Sequence, residues 1–206
     1  MDGSRVRTYE VTGSERAYDG IVASVRMDTV VMPGGETARR EVVEHMGGVG
    51  IVAVNAADEV CLIRQYRHPM GERLWEVPAG LRDVAGEDPR DTAARELEEE
   101  ASLRAGRLEP LVTLATSPGF STEIVQVFLA TDLAETPKQV REHEEAEIEI
   151  DWVPLRTVVE RVLSGQIINA IAVAGVLAAA RRLLLTWPAR HAEGRGLPDE
   201  RLRRHS

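Results

Sequence analysis

Glu96, Glu99 and Glu100 stand at i, i+3 and i+4 in the run Glu96-Leu97-Glu98-Glu99-Glu100. On a helix that spacing brings three carboxylates to one face. Their repulsion destabilises an isolated helix by roughly a few tenths of a kcal/mol per pair. Hard divalent cations with oxygen ligands offset such repulsion, and Mg²⁺ or Mn²⁺ suits clustered carboxylates. Glu98 points away from that face, toward solvent. Arg95 can pair with Glu99 or Glu87 and hold the cluster in place, while Ala93, Ala94, Leu97 and Ala101 supply apolar positions to set against a sheet. Taken alone, the run suits an ordinary solvated acidic helix better than a metal site. The residues around it decide between the two.

The elements that must position this helix can be read along the chain. Asp88 is a good N-cap and Pro89 a good first helical residue for a helix over 88–103. Before it, strands are expected over 21–31 and 39–45, flanking the turn Met32-Pro33-Gly34-Gly35. A second pair, 49–54 and 59–66, surrounds Asn55-Ala56-Ala57-Asp58, and a short strand at 75–80 is stopped by Pro78 and Gly80. After it come strands at 108–116 and 123–131, a polar loop at 132–145 and an alternating strand at 146–153. Helices at 155–163 and 169–185 close the domain, and the last twenty residues read as a loose tail. Many strands with a central helix and terminal helices make an α+β sandwich.

Composition narrows the function classes. The chain has 206 residues, enough for one domain, with 34 acidic against 25 basic residues and a net charge of −9. Proteins that wrap nucleic-acid phosphates usually carry the opposite balance, so no nucleic-acid partner is expected. The apolar run 167–180 spans 14 residues, short of the roughly 20 a membrane helix needs, so no membrane partner is expected either. The single cysteine, Cys61, cannot form an internal disulfide, and no amino-terminal signal pattern is visible. A cytoplasmic location is the expectation. His45, His68 and His143 show no zinc-ligand spacing, and no Walker A, Rossmann or G-x-S-x-G fingerprint occurs.

The acidic helix with its approach, Gly80 through Leu103, resembles the Nudix signature G-x5-E-x7-R-E-U-x-E-E-x-G-U, where U is apolar. Glu87, seven residues, and then Arg95-Glu96-Leu97-Glu98-Glu99-Glu100-Ala101-Ser102-Leu103 follow it. Six residues rather than five separate Gly80 from Glu87, and Ser102 replaces the final glycine. Neither departure removes a candidate ligand. The resemblance implies an α/β/α sandwich with a mixed sheet and an amino-terminal antiparallel strand extension. It implies a metal site made of Glu96, Glu100, Glu99 and the backbone carbonyl of Ala79, with Glu99 also serving catalysis. The implied reaction is hydrolysis of a nucleoside diphosphate linked to another moiety, by a metal-activated water.

Four segments outside the box resemble the ADP-ribose pyrophosphatase branch of that family. They are Arg40-Glu41-Val42-Val43-Glu44-His45, Gln65-Tyr66-Arg67-His68, Leu74-Trp75-Glu76-Val77-Pro78-Ala79-Gly80 and Ser117-Pro118-Gly119-Phe120-Ser121, with Pro118 at the branch-marking distance beyond the box. By that resemblance Arg40 and Glu41 (supplied by a partner subunit) and Arg67 line the adenine and diphosphate region. Leu81, Gly119, Phe120 and Glu123 surround the ribose and phosphates. Arginine suits the task, because its planar fork binds phosphate bidentately and stacks on adenine. The general base falls on Glu145, with Glu144 as runner-up, in a loop that can close over substrate. A homodimer is implied, built through residues 1–48, with the catalytic domain at 49–186 and a flexible tail at 187–206. The expected substrate is ADP-ribose or a related nucleoside diphosphate sugar, yielding AMP and ribose 5-phosphate. Hydrolysis of other nucleotide sugars or of nucleoside triphosphates is the alternative. A non-catalytic regulator that binds ADP-ribose-type ligands is the alternative of another class; such domains typically lose the glutamates that this chain keeps.

Overall fold

The computed structural model describes residues 9–137 and 147–191, with side chains as far as Leu183. Its elements are β1 (Val11–Asp19), β2 (Ala23–Val31), β3 (Thr37–His45), β4 (Gly48–Ala53), β5 (Glu59–Arg67), β6 (Glu72–Glu76), β7 (Ala79–Leu81), α1 (Pro89–Ala101), β8 (Leu103–Ala115), β9 (Ile124–Glu135), β10 (Glu149–Pro154), α2 (Leu155–Leu163) and α3 (Ala170–His191). They form three sheets ordered β1-β2-β3, β10-β5-β6 and β7-β4-β9-β8. The last is mixed: β4 runs parallel to β9, with Val52 beside Leu129, and antiparallel to β7.

Strand β4 is the centre of the sandwich, and its alternation shows why. Val49, Ile51 and Ala53 point into one apolar core with Cys61, Phe128, Ala93 and Leu97, beneath α1. Val52 points the other way, into a second core with Leu62, Val127, Val158, Ala172, Val176 and Ala179, beneath α2 and α3. With both faces covered, β4 reads as a continuous apolar run. Gly50 lets α3 approach: a Cβ there would sit 2.4 Å from Ile171 Cγ2. This is the α/β/α sandwich expected from the sequence.

The local pairings differ from the expectation at three places. Strands β4 and β5 form no hairpin; only the bridge between Val54 and Val60 joins them, and they lie in separate sheets. The turn between them looks like hairpin chemistry, but β9, seventy residues downstream, satisfies β4 instead. The strand expected at 75–80 is broken by Val77-Pro78 into β6 and β7, which belong to different sheets. Strand β1 went unread in the sequence because all nine of its residues are exposed, leaving no buried face to give an alternation. Helix α3 also runs to His191, past its expected end at 185. Among the described residues no helix is long and apolar enough to cross a membrane.

The sheet β1-β2-β3 joins the rest of the chain through the end of β3. Val43 N–H donates to the Phe120 carbonyl at 2.7 Å, and Thr122 N–H donates to the Val43 carbonyl at 2.9 Å. Within the sheet, Asp28 is buried and accepts from Ser14 Oγ at 2.7 Å and Arg26 Nε at 3.0 Å.

Candidate active site

Helix α1 forms where its caps allow. The Asp88 side chain accepts from Arg90 N–H at 2.8 Å, Pro89 opens the first turn, and the helix stops at Ser102 with φ 55 and ψ 41. Ser102 therefore takes the left-handed turn for which glycine is easiest, at a cost of about 1 kcal/mol. Thr92, Ala93, Glu96, Leu97, Glu100 and Ala101 are the buried residues of α1. Ala94, expected against the sheet, is exposed, because a helix this narrowly apolar turns it outward. Glu98 is half-buried rather than fully solvated, with Arg104 3.5 Å away.

The buried pair of carboxylates meets β7. Glu100 Oε2 accepts the Ala79 amide at 2.8 Å, and the Glu96 carboxyl lies so close to Gly80 that a Cβ there would sit 2.0 Å from Glu96 Cδ. The box glycine is thus the residue that makes room for the first box carboxylate. Arg95 binds the cluster together, at 2.8 Å from Glu96, 3.3 Å from Glu99, 3.3 Å from Asp83 and 3.5 Å from Glu87. Thr92 Oγ1 donates to Glu87 at 2.8 Å. The expected pairing of Arg95 with Glu99 and Glu87 is present, and Asp83 and Glu96 join it.

Burial first, then Glu99 and Asp83, push the Glu96 carboxyl up to about 7, Arg95 offsetting only part of the rise. Burial pulls the Arg95 guanidinium down, but Glu96, Glu99 and Glu87 outweigh it and hold it above its ordinary value. Three carboxylates and the Ala79 carbonyl offer oxygen donors only, the chemistry that a hard divalent cation favours. Glu96 is a group whose charged form such a cation would stabilise. Among the described residues no three carboxylate, imidazole or thiol side chains converge as ligands of one ion. Glu96 and Glu99 are drawn to Arg95 and Glu100 to the Ala79 amide, so a cation at this face competes with Arg95.

The residues expected to hold substrate fall into two places. Arg40 and Glu41 on β3, with Gly119 and Phe120 from the loop before β9, line one groove of about 520 Å³ together with Tyr9, Asp28 and Met32. Arg40 is exposed and makes no ion pair among the described residues, while Phe120 is 56% exposed. Arg67 lies elsewhere. Its Nε and Nη2 donate to the two oxygens of Glu76 at 2.8 and 2.7 Å, and Glu76 is 1% exposed. Replacing Arg67 with Ala would strand that buried carboxylate. A loss of about 3 kcal/mol is expected in denaturant unfolding, before any effect on substrate is read. Leu81 sits on β7 opposite Gly48.

Glu123 follows the loop whose Gly119 and Phe120 line the groove. It accepts from Thr116 Oγ1, and its carboxylate is 3.5 Å from His45 Nδ1. His45 Nδ1 in turn accepts the Gly47 amide at 3.1 Å, and its own amide donates to Thr122 Oγ1 at 3.1 Å. His45 therefore ties the end of β3, the turn into β4 and the 117–123 loop together. The sequence reading gave His45 no role, since only the fold brings Thr122 beside it. Glu76 was also missed as a partner, although a lone Glu in an apolar Trp-Glu-Val-Pro strand was a legible sign of a buried charge. Glu144 and Glu145 lie outside the described residues.

The chain matches the NUDIX domain model over residues 44–171. It is 51% identical over 170 residues to the ADP-ribose pyrophosphatase of Mycobacterium tuberculosis strain H37Rv, covering 82% of each chain. It is 35% identical over 156 residues to the ADP-ribose pyrophosphatase of Bacillus subtilis strain 168, covering 76% of this chain and 84% of that one. A crystal structure of an ADP compounds hydrolase superposes with a TM-score of 0.75 at 21% identity, covering 91% of this chain and all of the other. The model match alone takes in the carboxylate helix, the strand it presses on and the loop bearing Phe120, and on that match the chain belongs to the NUDIX family.

Proposed function

We propose that this chain hydrolyses the diphosphate bond of ADP-ribose, releasing AMP and ribose 5-phosphate, with Mg²⁺ (or Mn²⁺) as its cation. The observation that carries the reading is the buried carboxylate pair of α1 seated on Ala79 and Gly80, in a chain whose β3 and 117–123 loop build a groove around Arg40, Glu41 and Phe120. The two relatives named as ADP-ribose pyrophosphatases support the substrate.

In this reading Glu96, Glu99, Glu100 and the Ala79 carbonyl hold the cation. When bound, it would neutralise the diphosphate and acidify the attacking water. Arg95 keeps the carboxylates in register by spanning Glu87, Glu96 and Glu99. Arg40 and Phe120 present a cation and an aromatic face suited to a nucleotide. Gly119, Leu81 and Glu123 bound the ribose and phosphate end, and Arg67 steadies the floor through Glu76. Glu145 takes the proton from the attacking water, with Glu144 the alternative. Residues 1–48 form the dimer element and 49–186 the catalytic domain; the fully exposed β1, with Val11 and Tyr18 turned to solvent, suits a partner surface. A cytoplasmic setting accords with the lone cysteine, which is buried.

The test is to incubate the purified protein with ADP-ribose, nucleotide sugars and nucleoside triphosphates, with Mg²⁺ and then with chelator, across a dilution series. Preferential, chelator-sensitive AMP release from ADP-ribose is expected, with specific activity falling as the dimer dissociates. Activity confined to another diphosphate overturns the substrate, and an active monomer in sedimentation overturns the shared site.

A further inference from the structure

Arg82 follows β7 directly, and its amide donates to the Gly47 carbonyl at 3.3 Å, extending the pairing of Leu81 with Gly48 by one residue. In an extended chain residues two apart point to the same side. A Cβ at Gly80 would point into the Glu96 carboxyl, so alternation starts the Arg82 side chain on that same carboxylate side.

Among the described residues Arg82 is the half-buried arginine that holds no carboxylate. Arg26, Arg64, Arg67, Arg73, Arg95 and Arg161, equally half-buried, each have one within 4.0 Å. The Arg82 Nε is shielded from solvent and lacks a hydrogen-bond partner, as do those of Arg64 and Arg95, but those two guanidinia have a carboxylate and Arg82 has none among the described residues. Its neighbour Asp83 is already taken by Arg95. A buried donor left unmet costs about 1–3 kcal/mol, so a chain that keeps one has a use for it. A guanidinium that starts on the carboxylate side of β7 and holds no carboxylate suits a phosphate oxygen, taken by its planar fork.

We propose that Arg82 binds substrate, its guanidinium taking a phosphate oxygen of the diphosphate beside the α1 carboxylates. The assignment rests on the reading of the chain as a diphosphate hydrolase and adds a residue at an unspecified position of the box, outside the nucleotide groove. Arg82 compensates on the substrate the charge that the cation does not reach, and it raises affinity more than it alters the chemical step.

The experiment compares wild type, Arg82→Lys and Arg82→Leu. Pyrophosphate binding is measured first by calorimetry in chelator. Arg82→Leu is expected to bind about tenfold more weakly and Arg82→Lys to recover part of the loss, while adenosine, which has no phosphate, binds all three alike. With Mg²⁺ and ADP-ribose, the KM of Arg82→Leu rises about tenfold and kcat changes less. Arg82→Leu should melt no lower than wild type, since the unmet buried donor is gone, so weaker binding cannot be laid to a damaged fold. Pyrophosphate affinity and KM within twofold of wild type in Arg82→Leu would overturn the assignment. If wild type hydrolyses no ADP-ribose, the functional reading falls instead, and the calorimetric arm still decides Arg82.

Discussion

Glu96→Gln is expected to lose activity by roughly 10²–10³-fold, the range for removing one preorganised electrostatic partner, while the metal-free protein becomes more stable at pH 8. The opposite signs have one cause. Glu96 is 9% exposed, and burial lifts its carboxyl from 4.5 to about 7. An acid whose folded pKa is raised binds its proton more tightly in the native state than in the unfolded one. Between about pH 4.5 and 7 the native state therefore holds the extra proton, and stability falls as pH rises through that window. Above pH 7 the folded protein carries the charge at a penalty of about 3 kcal/mol at most. Glutamine is neutral at every pH, so the variant should lack that slope. Urea unfolding at pH 5 and pH 8, in chelator, gives the difference; equal slopes in wild type and variant would contradict the burial argument. Adding Mg²⁺ should reverse the order at pH 8, since wild type, with all its carboxylates, gains more from the ion than the variant does.

Gly80→Ala is expected to fold and yet lose about 100-fold in kcat/KM. A Cβ at position 80 would lie 2.0 Å from Glu96 Cδ and 2.3 Å from Oε1. Those atoms end a flexible side chain, so Glu96 can swing away without moving α1. The fold survives because the clash is relieved at a tip rather than in the backbone. Catalysis does not, because displacing a reacting-site group by about 1 Å is enough for a hundredfold loss. The measurement pairs a melting curve with steady-state kinetics. Wild-type activity in Gly80→Ala would show that Glu96 does not work from the position seen here. Glu100 is bound differently. Its Oε2 holds the Ala79 amide at 2.8 Å, so Glu100→Gln keeps an acceptor there, whereas Glu100→Ala also strands a backbone donor.

The carboxylate helix was legible because its signals are local. Cap, first-turn proline and the i, i+3, i+4 glutamates all lie within one span of chain, and each was met where expected. The groove residues were legible only through resemblance. Arg40 and Phe120 are some eighty positions apart, and what joins them is the bond from Val43 N–H to the Phe120 carbonyl. Arg67 shows the limit most clearly. A QYR segment at a strand end gives no hint that its arginine closes on Glu76 across β5 and β6, because Arg67 and Glu76 meet only after the strands pair.

By itself the sequence determined which residues can carry charge at helical spacing and where α1 begins, though not that it stops at Ala101 and gives Leu103 to β8. Hydrophobic period and capping chemistry act over a few residues, and no partner need be known. Tertiary structure alone decided that β4 joins β9 rather than β5, that Gly80 lies under Glu96 and that Arg82 is left without a carboxylate. Those outcomes depend on which surfaces compete for one another across the whole chain, and on burial, which changes the ionisation of Glu96 only once the sandwich has closed over it.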